Sequence, residues 1–432
     1  MEICIIGAGH VGLVTGACFA DLGNRVICVD NDRKKVALLK KGEVPFFEPG
    51  LEPMVVHNMK KKRLLFTMEI EEGVGKSEVI FIAVGTPPLP SGDADLTVVE
   101  KVARTIAGCM TEYRLIVEKS TVPVETGKWI QHALSGSLRK KIPFDVASNP
   151  EFLREGSAIN DFLHPDRIVI GVESERARKL LEGLYRPFQC PLVVTDIASS
   201  ELIKHASNAF LATKISFINS VAALCERVGA DVEKVALGMG LDRRIGPAFL
   251  DAGIGYGGFC LPKDIEAFIR IAEKLGYDYK LLKAVKEINE DQRRRVIAKV
   301  EKMLWNLRDK KIGILGLAFK PDTDDMRFAP SVEVIDALAK AGARIKVFDP
   351  QAMEQAKKRL NGVTFAKDAY EAAQGSDCMV LLTEWNEFKE LDLKRIKRLM
   401  RQPILVDGRN LYDPVALRRL GFTYAGVGRG KG

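Results

Sequence analysis

Apolar and polar positions along the chain switch between two periods. EICIIG reads as a short strand, GAGHVG follows, and Leu13 to Leu22 repeat at helical spacing until Gly23 stops the helix. RVICVD is the next strand and ends at Asp30. Further short apolar runs lie at VIFIAVGTP (79–87), LIVEKSTVP (115–123), FDVASNPEF (144–152), RIVIGV (167–172) and PLVVTD (191–196), separated by helix-like segments. This alternation predicts a largely parallel sheet with helices on both faces. Functional groups then belong at the carboxyl ends of the strands, where Gly85, Thr86, Ser120, Thr121, Asn149 and Glu151 fall.

From Ile197 to Val228 there is no Pro or Gly, and Leu202, Ile203, Ala206, Ala209 and Phe210 recur at helical spacing, which predicts one long helix. A glycine-rich stretch, GIGYGGFC (253–260), precedes LPKDIEAFIRIAEKLG, a helix with Pro262 in its first turn, and another helix is expected over 279–307. After Lys311 the alternation returns in KIGILGLAFK, ARIKVFDP, VTFAKD, CMVLLTE and PILVDGRN, with Asp349 where the first copy has Asp30. The expected fold is α/β: two Rossmann-like doubly wound domains joined by a long central helix and a helical dimerisation region. The boundaries fall at 1–196, 197–308 and 309–432. The turn GLAFK lacks the three glycines, so a dinucleotide is expected in the first domain only. The terminal GRGKG is expected to be a mobile tail, and the long apolar helix to form a homodimer or a higher homo-oligomer.

Composition narrows the classes. Over 432 residues, 47% are hydrophobic and 28% charged, which excludes disordered and collagen-like chains. The excess of 65 Lys and Arg over 57 Asp and Glu is small and dispersed. The runs Lys60–Arg63, Arg293–Arg295 and Lys394–Arg401 therefore read as solvated helix faces, with no nucleic-acid partner expected. Eight cysteines without a CxxC pair or a histidine at zinc-ligand spacing point to reduced thiols and no metal. The residues after Met1 run straight into a strand pattern without signal-peptide features, and no uninterrupted apolar run approaches the roughly 18 residues of a membrane helix. A cytoplasmic protein with no membrane partner is expected.

Gly7-Ala8-Gly9-His10-Val11-Gly12 is GxGxxG between a strand and a helix, which brings backbone close to a pyrophosphate at the helix N-terminus. Asp30 closes the second strand 23 residues after Gly7, where its carboxylate can accept from a ribose hydroxyl and repel a 2′-phosphate, so NAD is expected rather than NADP. Cys260 alone among the cysteines sits in a glycine loop before a helix, with Lys263 nearby to favour a thiolate. Asp264 four residues on could activate a water. Lys204 and Asn208 share one face of the long helix, whose Ala and Phe neighbours in ELIKHASNAF suggest partial burial; taken by themselves they read as a snorkelling lysine and a solvated amide. His205 between them reads as an ordinary helix residue. An NAD site with a nucleophilic thiol narrows the chemistry to hydride removal from a carbon that can become an acyl thioester: alcohol to aldehyde, then thiohemiacetal to thioester to acid.

The segments GAGHVG, FIAVGTP, STVP, NPEFLREGSAINDFLHPDRIVIG, ELIKHASNAFLATKISFINS, GYGGFCLPKD and GLAFKPDTDDMR together resemble the UDP-glucose 6-dehydrogenase family over nearly the whole chain. The resemblance implies an N-terminal NAD domain, a long linking helix that forms the dimer, and a C-terminal domain for the UDP moiety. It also implies oxidation of UDP-glucose by two NAD and water to UDP-glucuronate. It makes Cys260 the thioester nucleophile, Lys204 and Asn208 the oxyanion-stabilising pair, Asp264 the water-activating carboxylate, and Thr121 and Glu155 groups that order water and transfer protons. Gly7, Gly9, Val11, Gly12, Asp30, Thr86, Thr121, Glu155, Lys263 and Arg327 become cofactor contacts. Substrate contacts are Glu151, Phe152, Leu153, Arg154 and Glu155, with Lys204 and Asn208. The loop Phe249, Leu250, Asp251, Ala252 and Gly253, together with Gly257 and Lys320, completes that set, and Arg244 reaches the substrate of a neighbouring subunit. Glu125 in STVPVETG departs from the family, which commonly has a small residue there. The alternative substrate is GDP-mannose, giving GDP-mannuronate, because the related dehydrogenases share NPEFLREG and CLPKD.

Overall fold

The computed structural model describes residues 1–138 and 140–430. Contacts group the chain into two units, Met1–Ser207 with Glu266–Tyr277, and Asn208–Ile265 with Asp278 onward. The first unit is built on eight strands: β1 (Glu2–Ile6), β2 (Arg25–Val29), β3 (Leu64–Thr67), β4 (Val79–Ile82), β5 (Arg114–Glu118), β6 (Phe144–Ser148), β7 (Ile168–Val172) and β8 (Leu192–Thr195). They are ordered β3-β2-β1-β4-β5-β6-β7-β8. Ile3, Cys4 and Ile5 of β1 and all of β4 are buried, as central strands covered on both faces must be. Every pairing is parallel except β6 with β7, which is antiparallel. The strand order reverses direction between β1 and β4, so the loops leaving their carboxyl ends diverge and open a crevice there.

Two elements of this unit differ from the sequence pattern. β3 was not expected, because its four residues follow the charged KKKR and offer no periodic signal. The first helix runs His10–Asp21 and buries every residue from Gly12 to Ala20, so it is a core helix and not an amphipathic one.

The second unit carries β9 (Lys311–Leu315), β10 (Arg344–Phe348), β11 (Thr364–Phe365), β12 (Cys378–Leu381), β13 (Ile404–Asp407) and β14 (Thr423–Ala425). These form an all-parallel sheet ordered β11-β10-β9-β12-β13-β14, the same central arrangement as the first. Asp349, the counterpart of Asp30, is fully buried. One of its oxygens accepts from the Leu317 and Ala318 amides at 2.7 and 3.0 Å and from Trp385, and the other from the Gln351 and Ala352 amides. That carboxylate closes the turn on itself and presents nothing to a ribose. The helix Val232–Gly240, not expected from the pattern, starts at Asp231, whose side chain caps the Glu233 amide.

The terminal segment corrects the expectation of a mobile tail. The Gly428 amide donates to Glu226 at 2.8 Å, its carbonyl accepts from Val232, and Arg429 pairs with Asp231 and Glu233. Lys431 and Gly432 lie outside the described residues.

Helix Ile197–Val228 is continuous over 32 residues, as expected, and of the apolar positions that predicted it Ala209 is buried while Leu202, Ala206 and Phe210 are exposed. The buried face near its start is polar, formed by Glu201, Lys204, His205 and Asn208. Phe210, Phe217 and Leu224 project outward at intervals of seven and are 66%, 49% and 57% exposed. By length and composition it is the one helix among the described residues that could cross a membrane, with a mean hydropathy of 1.3 over 18 residues. The sequence reading missed this because polar residues break the apolar run. Those same polar groups, buried with Ala212, Ile218 and Ala222, mark a core helix of a folded protein.

Candidate active site

In the first unit, the glycine turn after β1 is shaped by contact with the loop after β4. Gly7 has φ +103, and a Cβ there would lie 2.5 Å from the Ala83 carbonyl oxygen. A Cβ on Gly12 would fall 1.8 Å from the Gly7 oxygen, so the helix can pack this close only with glycine. Gly9 faces open space, and the helix it precedes has no side-chain cap. Open backbone at an uncapped helix N-terminus, with His10 and Val11 in its first turn, fits a pyrophosphate.

Asp30 accepts from the Ala8 amide at 2.9 Å, the Asp32 amide at 2.9 Å and Lys35 Nζ at 2.8 Å. Burial alone would raise its pKa, but these hydrogen bonds hold the carboxyl below its ordinary value. It therefore stays ionised at the end of β2, bonded to the same turn that would hold the cofactor. The loops after β4 and β5 are joined by Thr86 Oγ1 donating to the Thr121 carbonyl at 2.8 Å and Ser120 Oγ donating to the Val84 carbonyl at 2.8 Å. Thr121 itself is half-buried.

The loop after β6 holds the expected substrate contacts. Lys204 and Glu151 are both buried and 3.1 Å apart, and the second Glu151 oxygen accepts from the Leu153 amide at 2.7 Å. The Phe152 ring has two cations near it, with Arg167 at 3.6 Å and Lys204 at 5.5 Å from its centroid. Arg154 is tied to Asp161 through its amide and its guanidinium, and Glu155 follows it, half-buried. The snorkelling reading of Lys204 is thus corrected: a neighbouring carboxylate compensates the burial of its charge, which solvent would otherwise have to do. Beside the loop is a small open pocket of about 50 Å³, lined in part by Lys119, Asn149, Arg167 and Tyr185. Burial pushes the Lys119 ammonium down to about 8 despite the pull of Glu151 and Glu118.

Lys119, within LIVEKSTVP, carries no motif of its own in the sequence. It donates to Asn149 Oδ1 at 3.0 Å, where Tyr185 Oη also donates at 2.5 Å. His205, read as ordinary, is buried with Nε2 2.7 Å from the Val122 carbonyl, one residue beyond Thr121. Neither role carries a linear signal, since both depend on a residue more than 25 positions away.

Glu125 sits at the N-terminal boundary of helix Thr126–Ser137 with φ +78, a left-handed conformation that penalises any residue with a Cβ. Its amide donates to Glu201 Oε2 at 2.6 Å, and the Gly127 amide donates to Oε1 at 2.7 Å. Glu125→Gly should relieve strain of about 1–2 kcal/mol against an unfolded-chain entropy term of about 0.5–1 kcal/mol. A net gain of roughly 0.5 kcal/mol in urea denaturation is expected.

Glu201 yields a pH prediction. Burial pushes its carboxyl up to about 7, and the nearby Glu125 charge adds to this against the two amide bonds and Lys128. A folded pKa above the unfolded value means the contribution to stability is full below the ordinary carboxylate pKa and is lost as pH rises through about 7. Unfolding free energy measured from pH 4 to 8 should show this decline in the parent and lose it in Glu201→Gln.

In the second unit, Cys260 is the first residue of helix Cys260–Lys274 and is exposed. The other seven thiols are buried or half-buried, and burial raises every one of their pKa values, Cys18 and Cys28 to about 12. One turn along the helix, Asp264 is buried and accepts from Asn208 Nδ2 at 2.6 Å, with Lys263 Nζ 2.7 Å from its other oxygen. The solvated reading of Asn208 is corrected by this bond. Lys263 and Arg327 both lie over the Phe259 ring, at 5.6 and 4.4 Å from its centroid, just before the thiol.

The glycines before Cys260 allow close approach of other segments of the chain. A Cβ on Gly257 would meet the Phe328 carbonyl at 2.5 Å, and one on Gly258 the Phe319 ring at 2.6 Å. The backbone that approaches them is the protein's own. Arg409, in the strand segment PILVDGRN and not singled out from sequence, donates to the Gly255, Phe319 and Leu382 carbonyls and so holds this loop.

The remaining expected contacts are distributed as follows. Phe249 adopts φ +64, Leu250 and Ala252 are buried, Asp251 is exposed, and the Gly253 amide donates to Asn219 at 2.9 Å. Lys320 Nζ lies 5.9 Å from the Phe319 ring centroid. Arg244 is exposed and paired with Asp242.

Models of the UDP-glucose/GDP-mannose dehydrogenase family match the chain three times: the NAD binding domain over residues 1–189, the central domain over 198–291 and the UDP binding domain over 313–414. A Bacillus subtilis (strain 168) protein named UDP-glucose 6-dehydrogenase TuaD is 47% identical over 429 residues, spanning 99% of this chain and 93% of that one. The UDP-glucose 6-dehydrogenase of Rhizobium meliloti (strain 1021) is 49% identical over 436 residues, spanning 99% and 100%. The structure of a UDP-glucose dehydrogenase from the hyperthermophilic archaeon Pyrobaculum islandicum matches with a TM-score of 0.93 at 41% identity, covering 99% of this chain and 97% of that one.

Proposed function

The chain belongs to the UDP-glucose/GDP-mannose dehydrogenase family, and from that premise we propose how its own residues carry out the reaction. It is an NAD-dependent oxidoreductase that converts UDP-glucose to UDP-glucuronate in two successive oxidations. Residues 1–196 hold NAD, 197–308 link and dimerise, and 309–432 hold the uridine diphosphate. GDP-mannose is the less supported substrate, since the relatives that are 47–49% identical over 99% of this chain are named UDP-glucose 6-dehydrogenases, whereas a GDP-mannose dehydrogenase of similar extent is 29% identical.

The Gly7–Gly12 turn would hold two NAD molecules one after the other, each supplying an acceptor for one hydride and leaving as NADH. Thr121 and Glu155 order a water and take the hydroxyl proton as the alcohol becomes an aldehyde. The Cys260 thiolate adds to the aldehyde carbon, and the thiohemiacetal oxygen is stabilised by Lys204 and Asn208. Loss of the second hydride leaves a thioester. Asp264 deprotonates the water that attacks it, and the thiolate leaves. Phe152 to Arg154, the 249–253 loop, Gly257 and Lys320 cradle the nucleotide sugar, while Lys263 and Arg327 contact the cofactor. The outward row Phe210, Phe217 and Leu224 would be covered by the same helix of a second copy, bringing Arg244 to the neighbouring site.

The observation that carries this reading is Cys260, the one exposed thiol of eight, at a helix N-terminus one turn from the Asp264–Asn208 pair. Incubation with UDP-glucose and excess NAD should yield two NADH per UDP-glucose consumed. NADH from GDP-mannose with none from UDP-glucose would reverse the substrate assignment.

A further inference from the structure

The segment FFEPG, at 46–50, has no role in the reaction above, yet Glu48 within it is among the most completely bonded carboxylates of the first unit. Its side chain is 1% exposed. One oxygen accepts from His10 Nε2 at 2.7 Å and from the Gly156 amide at 2.7 Å; the other accepts from the Ala158 amide at 2.8 Å. A carboxylate only accepts, so Nε2 of His10 carries the proton in this bond. Phe46 packs against the same imidazole, with ring centroids 5.1 Å apart.

The three donors come from two functional loops. His10 is the first residue of the helix that follows the glycine turn, so its backbone belongs to the cofactor site. Gly156 directly follows Glu155, and Ala158 opens the helix Ala158–Leu163, whose boundary residue Ser157 provides no side-chain cap. Glu48 therefore satisfies an orphan amide of that helix and fixes the residue after Glu155. A buried charge with three donors is compensated as it stands. Movement of either loop would leave part of that charge unpaired.

We propose that Glu48 is a positioning residue joining the cofactor turn, through His10, to the substrate loop, through Gly156 and Ala158, so that each ligand favours binding of the other. The proposal rests on the assignment of NAD and UDP-glucose to these loops. Coupling between two binding sites is reciprocal and typically amounts to about 5–150-fold.

The test is titration of the full chain with NADH, followed by fluorescence, with and without saturating UDP-glucose. NADH and UDP-glucose do not react, so binding is read without turnover. In the parent, UDP-glucose should tighten NADH binding by about fivefold or more. In Glu48→Gln, which keeps the shape but removes an acceptor, and in His10→Ala, which leaves the Gly156 and Ala158 bonds in place, that factor should fall to within about twofold of unity. If Glu48→Gln does not fold, His10→Ala decides alone. A factor near one in the parent, or a parental factor kept in the variants, overturns the coupling while leaving the enzymatic reading intact. A parent that binds NADH but not UDP-glucose overturns the substrate assignment and the coupling with it.

Discussion

Cys260→Ser ends net formation of UDP-glucuronate, with steady-state NADH production from UDP-glucose falling on the order of a thousandfold or more. The thiol begins a helix and is exposed, so the helix dipole favours its anion and solvent reaches it. A serine hydroxyl at the same place ionises far less readily and is a much poorer leaving group from an acyl ester, so both addition and hydrolysis slow. No other cysteine can take over, because burial holds the remaining thiols protonated. Two readouts check the result: NADH absorbance for the rate, and mass spectrometry of the parent quenched in turnover for an acyl adduct on the peptide containing Cys260. Acid formation by Cys260→Ser within tenfold of the parent would exclude the thioester route.

The parts of this enzyme that were legible in the sequence are those whose physics is local. A glycine turn between a strand and a helix, an acid closing the next strand, and a cysteine opening a helix each declare themselves within a few residues, and the structure places Gly7, Asp30 and Cys260 in those settings. Parallel-sheet strands buried on both faces likewise read as short apolar runs. β3 and β14 escaped because they are short and lie at or toward the sheet edges, where burial is partial. The orientation of helix Ile197–Val228 escaped for a different reason. Periodicity separates two faces but does not say which one points inward, and here the polar face is buried because Glu151, Asp264 and backbone groups from other segments meet it. Partners distant in sequence also hid Glu48, His205 and Arg409, whose bonds span tens of residues or more.

The Lys204–Glu151 pair separates structure from chemistry by double substitution. Lys204→Met alone should cost about 3–5 kcal/mol of unfolding free energy, because it removes the ammonium in contact with the buried Glu151 carboxylate. Adding Glu151→Gln removes that charge while its carbonyl can still accept from the Leu153 amide, so most of the lost stability should return. Activity should not return with it. An ammonium aimed at a developing oxyanion is worth about a hundredfold or more in kcat, and the methionine supplies none of it. Urea denaturation and NADH production measured on the parent, both single variants and the double variant complete the cycle. If activity recovers in step with stability, Lys204 serves only to neutralise Glu151, and oxyanion stabilisation falls to Asn208. If stability recovers while kcat stays depressed, the lysine acts on the reacting oxygen, and its burial beside Glu151 is the means by which the fold keeps a charge out of water until the substrate meets it.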